Sequence, residues 1–317
     1  MDDFCENLYD NLSIPLTSIG FILNLLCSIA FFLSKDLQTN IFRYLLIKSI
    51  CDTTVYMRDL IHYVSTKCGD ECFLNSSFVI CLLRFTFYYY FGRSLILISM
   101  FCDIAASFNR LRVLANKFKH FDRVPFWLKI MIMFSYSFLF YSYLYTGHVT
   151  CDKYVSKSNK TYYSYLNKTF HETQHEIILE TIHSFVRDIL CLIILATINI
   201  ITLVLMKRSL KKKRYIANES EKSKAEKVEK KLTYMVFVTS LIYILAHCPL
   251  FIHFIPIELP RGKCLNNVIW ILFYLSNLFN FFIYLSFNRH FKNFFKINSI
   301  KIIKLISFNT IKLGKDS

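Results

Sequence analysis

Seven stretches of this chain are apolar for long enough to cross a bilayer as helices, at about 14–34, 42–64, 77–108, 126–146, 186–206, 232–256 and 266–287. A helical crossing takes about 20 largely apolar residues, and the bilayer core offers no water to satisfy stray backbone groups. A chain patterned this way therefore has little open to it besides a bundle of helices. Composition agrees: 54% of the 317 residues are hydrophobic and 17% aromatic, too apolar for an ordinary soluble domain. The net charge of +16 does not point to nucleic acid, because the Lys and Arg residues sit between apolar runs and not on a soluble scaffold. The segment before the first window, MDDFCENLYDN, is acidic where a signal peptide is positively charged, so that window reads as the first span.

Orientation follows from the basic residues, which are retained on the cytoplasmic side of short loops. The segment before span one has none, Lys67 lies between spans two and three, and Arg261 and Lys263 lie between six and seven. The alternate segments carry RLRVLANKFKHFDR, KRSLKKKRY with the Lys-rich stretch through Lys231, and a tail from Arg289 to Lys315. The N-terminus is thus expected outside and the C-terminus inside. The glycosylation sequons at Asn11, Asn75, Asn159 and Asn167 all fall outside on this reading, while the one at Asn218 falls inside and should go unused. Of the 11 cysteines, Cys5, Cys68, Cys72, Cys81, Cys151 and Cys264 lie in or beside outer segments where disulfides persist, and the other five lie within spans. His171, His175 and Glu176 are close enough on a helix to suggest a metal site, but without a further ligand they read as a solvated face, and no metal is expected.

Most of the spans carry polar residues that lipid would reject unless another helix received them. Asn24, Asp52, Ser99, Asp103, His247, Asn277, Asn280 and Tyr284 recur at matching depths in several spans. Scattered interhelical packing contacts account for isolated cases such as Asn199 or Ser135; a set spread over several spans reads as a functional network.

These residues carry a resemblance. GxxxN in span one (Gly20, Asn24), SxxD in span two (Ser49, Asp52), a polar-basic pair at the inner end of span three, an aromatic-x5-Pro in span six and Asn280-x3-Tyr284-x6-Phe291 together resemble the rhodopsin-like family of G-protein-coupled receptors. The resemblance implies an all-α membrane protein, a seven-transmembrane helix bundle with a short amphipathic helix after the last span. Residues 1–13 would form an extracellular N-terminus, 14–287 the receptor domain and 288–317 a cytoplasmic amphipathic helix and basic tail, in the plasma membrane. It further implies that Asn24, Asp52, Ser99 and Asn277 belong to an inner polar network, with an allosteric sodium ion at Asp52. Asn109, Arg110 and Leu111 stand in the place of the family's Asp-Arg-Tyr, so Arg110 would meet a heterotrimeric G protein. Tyr243, His247, Pro249, Asn280 and Tyr284 would form the switch. The pattern departs at Asn109, Leu111, His247 and Phe281, which weakens the implied inactive-state lock.

The resemblance also implies a disulfide from the outer end of span three to the second outer loop. Cys81 and Cys151 match it, although Cys81 is a turn further from Arg110 than the pattern and Cys72 stays open as its replacement. Cys5 and Cys264 are a second candidate pair. Arg58, Arg93, Arg187, Asp188 and Phe251 fall near the outer cavity of such a fold. Either Arg58 or Arg93 is paired structurally with Asp59 or Asp188, or the arginines recognise an anionic group of a ligand. Gly92 and Arg93 stand near the place where amine receptors hold an aspartate, which favours a peptide over an amine. The alternative from another class is a polytopic transporter using Asp52, Asp103 and His247 as an ion pathway. GxSxG does not occur, and the one HExxH, HETQH at 171–175, is the stretch read above as a solvated face, so no enzyme is expected.

Overall fold

The computed structural model describes residues 2–67, 77–116, 120–142, 150–155, 161–166, 178, 182, 185–214, 230–231, 233–246 and 263–297. Its main helices are α1 (Asp2–Leu33), α2 (Asn40–Lys67), α3 (Phe78–Ala115), α4 (Phe126–Phe140), α5 (Phe185–Ser209), α6 (Thr233–Ala246) and α7 (Lys263–Phe287), followed by α8 over 289–297. Among the described residues, four helical stretches, Asn11–Leu33, Phe78–Ala115, Phe185–Ser209 and Asn267–Phe287, are long and apolar enough to cross a membrane. The chain thus has the architecture of a helical membrane protein. Large apolar side chains such as Ile22, Phe32, Leu139 and Ile200 are exposed on the helix surfaces, as lipid-facing residues are and as a soluble bundle would avoid.

Two points differ from the sequence reading. α1 begins at Asp2, so the segment 1–13 is largely helix continuous with the first apolar window. A two-stranded antiparallel hairpin also interrupts the all-α pattern, pairing Thr150–Val155 with Thr161–Leu166 and lying against the N-terminal end of α3. The sequence signal was present, since TYYSYL is made of strand-forming residues.

α2 packs between α1 and α3, α7 lies against α1, and α3 runs against both α4 and α5. Close approach is built in at Gly20, where an added Cβ would run into the ring of Tyr56 on α2. The Tyr56 hydroxyl then donates to the Tyr274 carbonyl at 2.7 Å, joining α2 to α7 in the interior. Within α3, the residues Thr86–Phe91 form a π-helical segment, whose wider turns take up extra residues and absorb part of the surplus between Cys81 and Arg110.

After α7, the Asn288 side chain accepts from the backbone N–H groups of His290 and Phe291 at 3.0 and 3.2 Å, capping the next helix in the usual manner. Phe291, fully buried, then packs against Phe31, Tyr284 and Phe281, with ring centroids 5.4 to 5.9 Å away. The expected amphipathic helix is present over 289–297. The basic tail from 298 lies outside the described residues.

Candidate functional site

The interior of the bundle holds a charge cluster centred on Lys48. This residue lies four positions before Asp52 on α2, which places both on one helix face, and its side chain is 1% exposed. Its Nζ stands 2.9 Å from Asp103 Oδ2 on α3, 3.4 Å from Asp52 Oδ2 and 3.1 Å from Ser99 Oγ. The Ser99 hydroxyl in turn donates to Asp52 Oδ1 at 2.6 Å. The ring of Tyr243 on α6 lies 5.4 Å below the ammonium, a cation–π distance. Three helices thus meet around one buried cation, and truncating one member of such a set costs about 3 to 5 kcal/mol because it strands the others.

The sodium ion that the resemblance implies at Asp52 does not fit these residues. A metal cation would need the oxygens of Asp52, Ser99 and their neighbours, and Lys48 already draws them around its ammonium. Two unit positive charges about 4 Å apart repel by about 4 kcal/mol at an effective dielectric of about 20. Among the described residues no group of three His, Cys, Asp or Glu side chains is placed to hold a metal ion.

Of the expected inner network, Asp52 and Ser99 belong to this cluster. Asn24 donates to the Gly20 carbonyl on its own helix at 2.9 Å, while Asn277 and Asn280 are buried on α7. Asn277 Oδ1 and the Tyr284 hydroxyl are buried without a hydrogen-bond partner among the described residues. Tyr284, Asp103, Leu45 and Thr239 line a narrow cleft between α2, α3, α6 and α7. At the inner end of α3, Arg110 is 6% exposed, beside buried Asn109 and Leu111. Asn109 accepts from Arg112 at 2.8 Å, one turn along the helix.

Further along α2, Arg58 forms an ion pair with its neighbour Asp59, at 2.5 Å. Arg58 also donates to the Tyr88 carbonyl at 3.3 Å and lies 4.8 Å from the Tyr88 ring. The guanidinium passes over Gly92, where any Cβ would collide with it. Asp59 accepts a second bond from Tyr274 at 3.0 Å, Tyr274 reaches Tyr63 at 3.3 Å, and Tyr63 contacts Tyr9 of the α1 extension. Of the two readings open for Arg58, internal pairing is the one this geometry carries. Arg93 is half-buried beside Tyr89, 5.8 Å from its ring, and Arg187 donates to the Tyr141 hydroxyl at 3.3 Å. Asp188 lies in the π-helical start of α5, Phe185–Leu190. The side chain of Asp188 and the residues His247, Pro249 and Phe251 lie outside the described residues.

Cys81 and Cys264 are both disulfide-bonded, which answers the choice between Cys81 and Cys72 as far as Cys81's own bonding goes. The partners' side chains lie outside the described residues, though the helix bearing Cys81 packs on the hairpin that bears Cys151, and α7 packs on α1, which bears Cys5. Cys27, Cys51 and Cys102 are free thiols and, like Cys191, are buried, as expected of small apolar residues. Asn11 is exposed on α1; Asn75, Asn159, Asn167 and Asn218 lie outside the described residues.

Lys48 is the member that sequence reasoning missed. The signal was its i, i+4 spacing to Asp52 inside an apolar window, since an intramembrane lysine requires a partner. The chain matches no model of a known protein family, and no curated protein.

Proposed function

We propose that this chain is a cell-surface receptor of the rhodopsin-like G-protein-coupled type, a seven-span bundle with its N-terminus outside the plasma membrane, binding an extracellular peptide and activating a heterotrimeric G protein. The observation that carries the reading is the stripe of buried polar residues running inward through one bundle, from Asn24, Asp52, Ser99 and Asn277 to Asn280, Tyr284 and Arg110. This stripe ends beside a capped amphipathic helix after the last span.

Buried polar groups with two alternative sets of partners make a bistable element, and a ligand that favours one set shifts the population. Tyr243 links α6 to the Lys48 cluster of α2 and α3, so displacing α6 at its outer end alters the contacts that hold the three together. Proline carries no backbone N–H, so a sixth span that continued as helix through Pro249 would bend there. Tyr284 brings a hydroxyl that has no partner among the described residues and can find one in another state. Arg110 then offers its guanidinium to the G protein.

The transporter reading is disfavoured by the same cluster, because Lys48 ties both carboxylates that would carry an ion. A peptide library presented to cells expressing the chain should contain members that evoke a second-messenger response. Absence of any response, with solute uptake that follows expression and reappears in liposomes, would replace the receptor by the transporter.

A further inference from the structure

We propose that Lys48 is a tethered cation that closes the bundle's central polar site to monovalent metal ions, so that the polar core is held by covalently anchored charge and is indifferent to sodium. Three oxygens surround an ammonium that carries three N–H groups: Asp103 Oδ2 at 2.9 Å, Ser99 Oγ at 3.1 Å and Asp52 Oδ2 at 3.4 Å. Ser99 accepts from the ammonium on one side and donates its own proton to Asp52 Oδ1 on the other. The ammonium thus occupies the position among these three oxygens that a second cation would need. The Tyr243 face covers a further side of the ammonium, and Lys48, Asp52, Ser99 and Asp103 are all buried.

The placement of Asp103 makes the lysine a bridge and not merely a filler. A lysine paired only with Asp52 would stay within α2, whereas its shorter contact reaches α3. A freely exchanging ion would leave the α2–α3 junction dependent on the ionic medium; an ammonium carried on α2 does not dissociate. The inference goes beyond receptor function and does not depend on coupling to a G protein.

The test uses the full chain, purified in lipid nanodiscs, with thermal unfolding followed as NaCl replaces choline chloride at constant ionic strength. The parent should show no sodium-selective change in Tm. In Lys48→Leu the two carboxylates lose their cation, and Tm should rise by about 3 °C or more in about 150 mM NaCl, as for a ligand at roughly ten times its Kd. Sodium-selective stabilisation of the parent overturns the proposal, as does a Lys48→Leu protein with no response to sodium. Lys48→Gln, which keeps a polar chain of similar length, carries the gain arm if Lys48→Leu does not fold. The parent measurement stands without either variant. Because no ligand or G protein enters the assay, its outcome is separate from that of the receptor reading.

Discussion

Tyr284 keeps a buried hydroxyl with no hydrogen-bond partner among the described residues, although its ring is held by Phe31 and Phe291 at 5.2 and 5.9 Å. Leaving such a group unsatisfied costs about 1 to 3 kcal/mol, and the proposed receptor function assigns it to a second state in which the hydroxyl is bonded. Tyr284→Phe should leave Tm unchanged or raise it, while reducing peptide-evoked nucleotide exchange. A large loss of Tm would show that the hydroxyl is already bonded in the resting protein. Gly92 makes the opposite case, a residue whose role lies in what it lacks. Gly92→Ala drives a methyl into the Arg58 guanidinium, and overpacking of this kind costs about 1 to 3 kcal/mol. Combining it with Arg58→Ala should recover the steric part of that loss in thermal unfolding, and strictly additive losses would exclude the contact. Neither role could be read from the sequence. Asn280 and Tyr284 are one helical turn apart and so were legible as one face, but Gly92 meets a residue 34 positions away on another helix, and spacing along a chain says nothing about that.

Helices were the most legible elements, because hydropathy over about 20 residues is a local property. Their internal irregularities were not: the π-helical segment Thr86–Phe91 in α3 leaves no hydropathic trace, and its effect showed only as an awkward count between Cys81 and Arg110. The hairpin of Thr150–Val155 and Thr161–Leu166 was overlooked for a different reason, since a two-stranded ribbon in an outer segment is marginal by itself and depends on what it packs against, here the N-terminal end of α3. The disulfide at Cys81 fastens that end. Cys81→Ser should cost about 2 to 5 kcal/mol, read as a fall in Tm and in surface expression, whereas an unchanged Tm would mean that the bond carries no structural load. Topology at this scale is tested by glycan mapping. Asn159 and Asn167, which flank the second strand, should carry glycans and Asn218 should not, and a glycan on Asn218 would reverse the assigned orientation.

At the scale of the molecule, the account joins two ends of one bundle through its polar interior. Toward one end Arg58 is joined to Asp59 and the tyrosines 274, 63 and 9, while Arg110 lies toward the other end, near the start of a basic segment. Between them stands Lys48, whose position made an implied sodium ion untenable. The sequence motifs named Asp52 and Ser99 and missed the lysine, because the resemblance directed attention to positions where a pattern is kept, and Lys48 carries its meaning only through Asp103 on a neighbouring helix. The central claim is that movement within this bundle is transmitted to a G protein at Arg110. The most direct measurement is nucleotide exchange on a panel of purified heterotrimers, using the parent chain and Arg110→Ala in nanodiscs with a peptide found active in cells. The account predicts that the parent accelerates exchange on at least one heterotrimer. In Arg110→Ala peptide binding should stay unchanged while the acceleration falls by about tenfold or more, the loss expected of a charge-assisted contact. Equal acceleration by both proteins, or none by either alongside solute flux in liposomes, would contradict it.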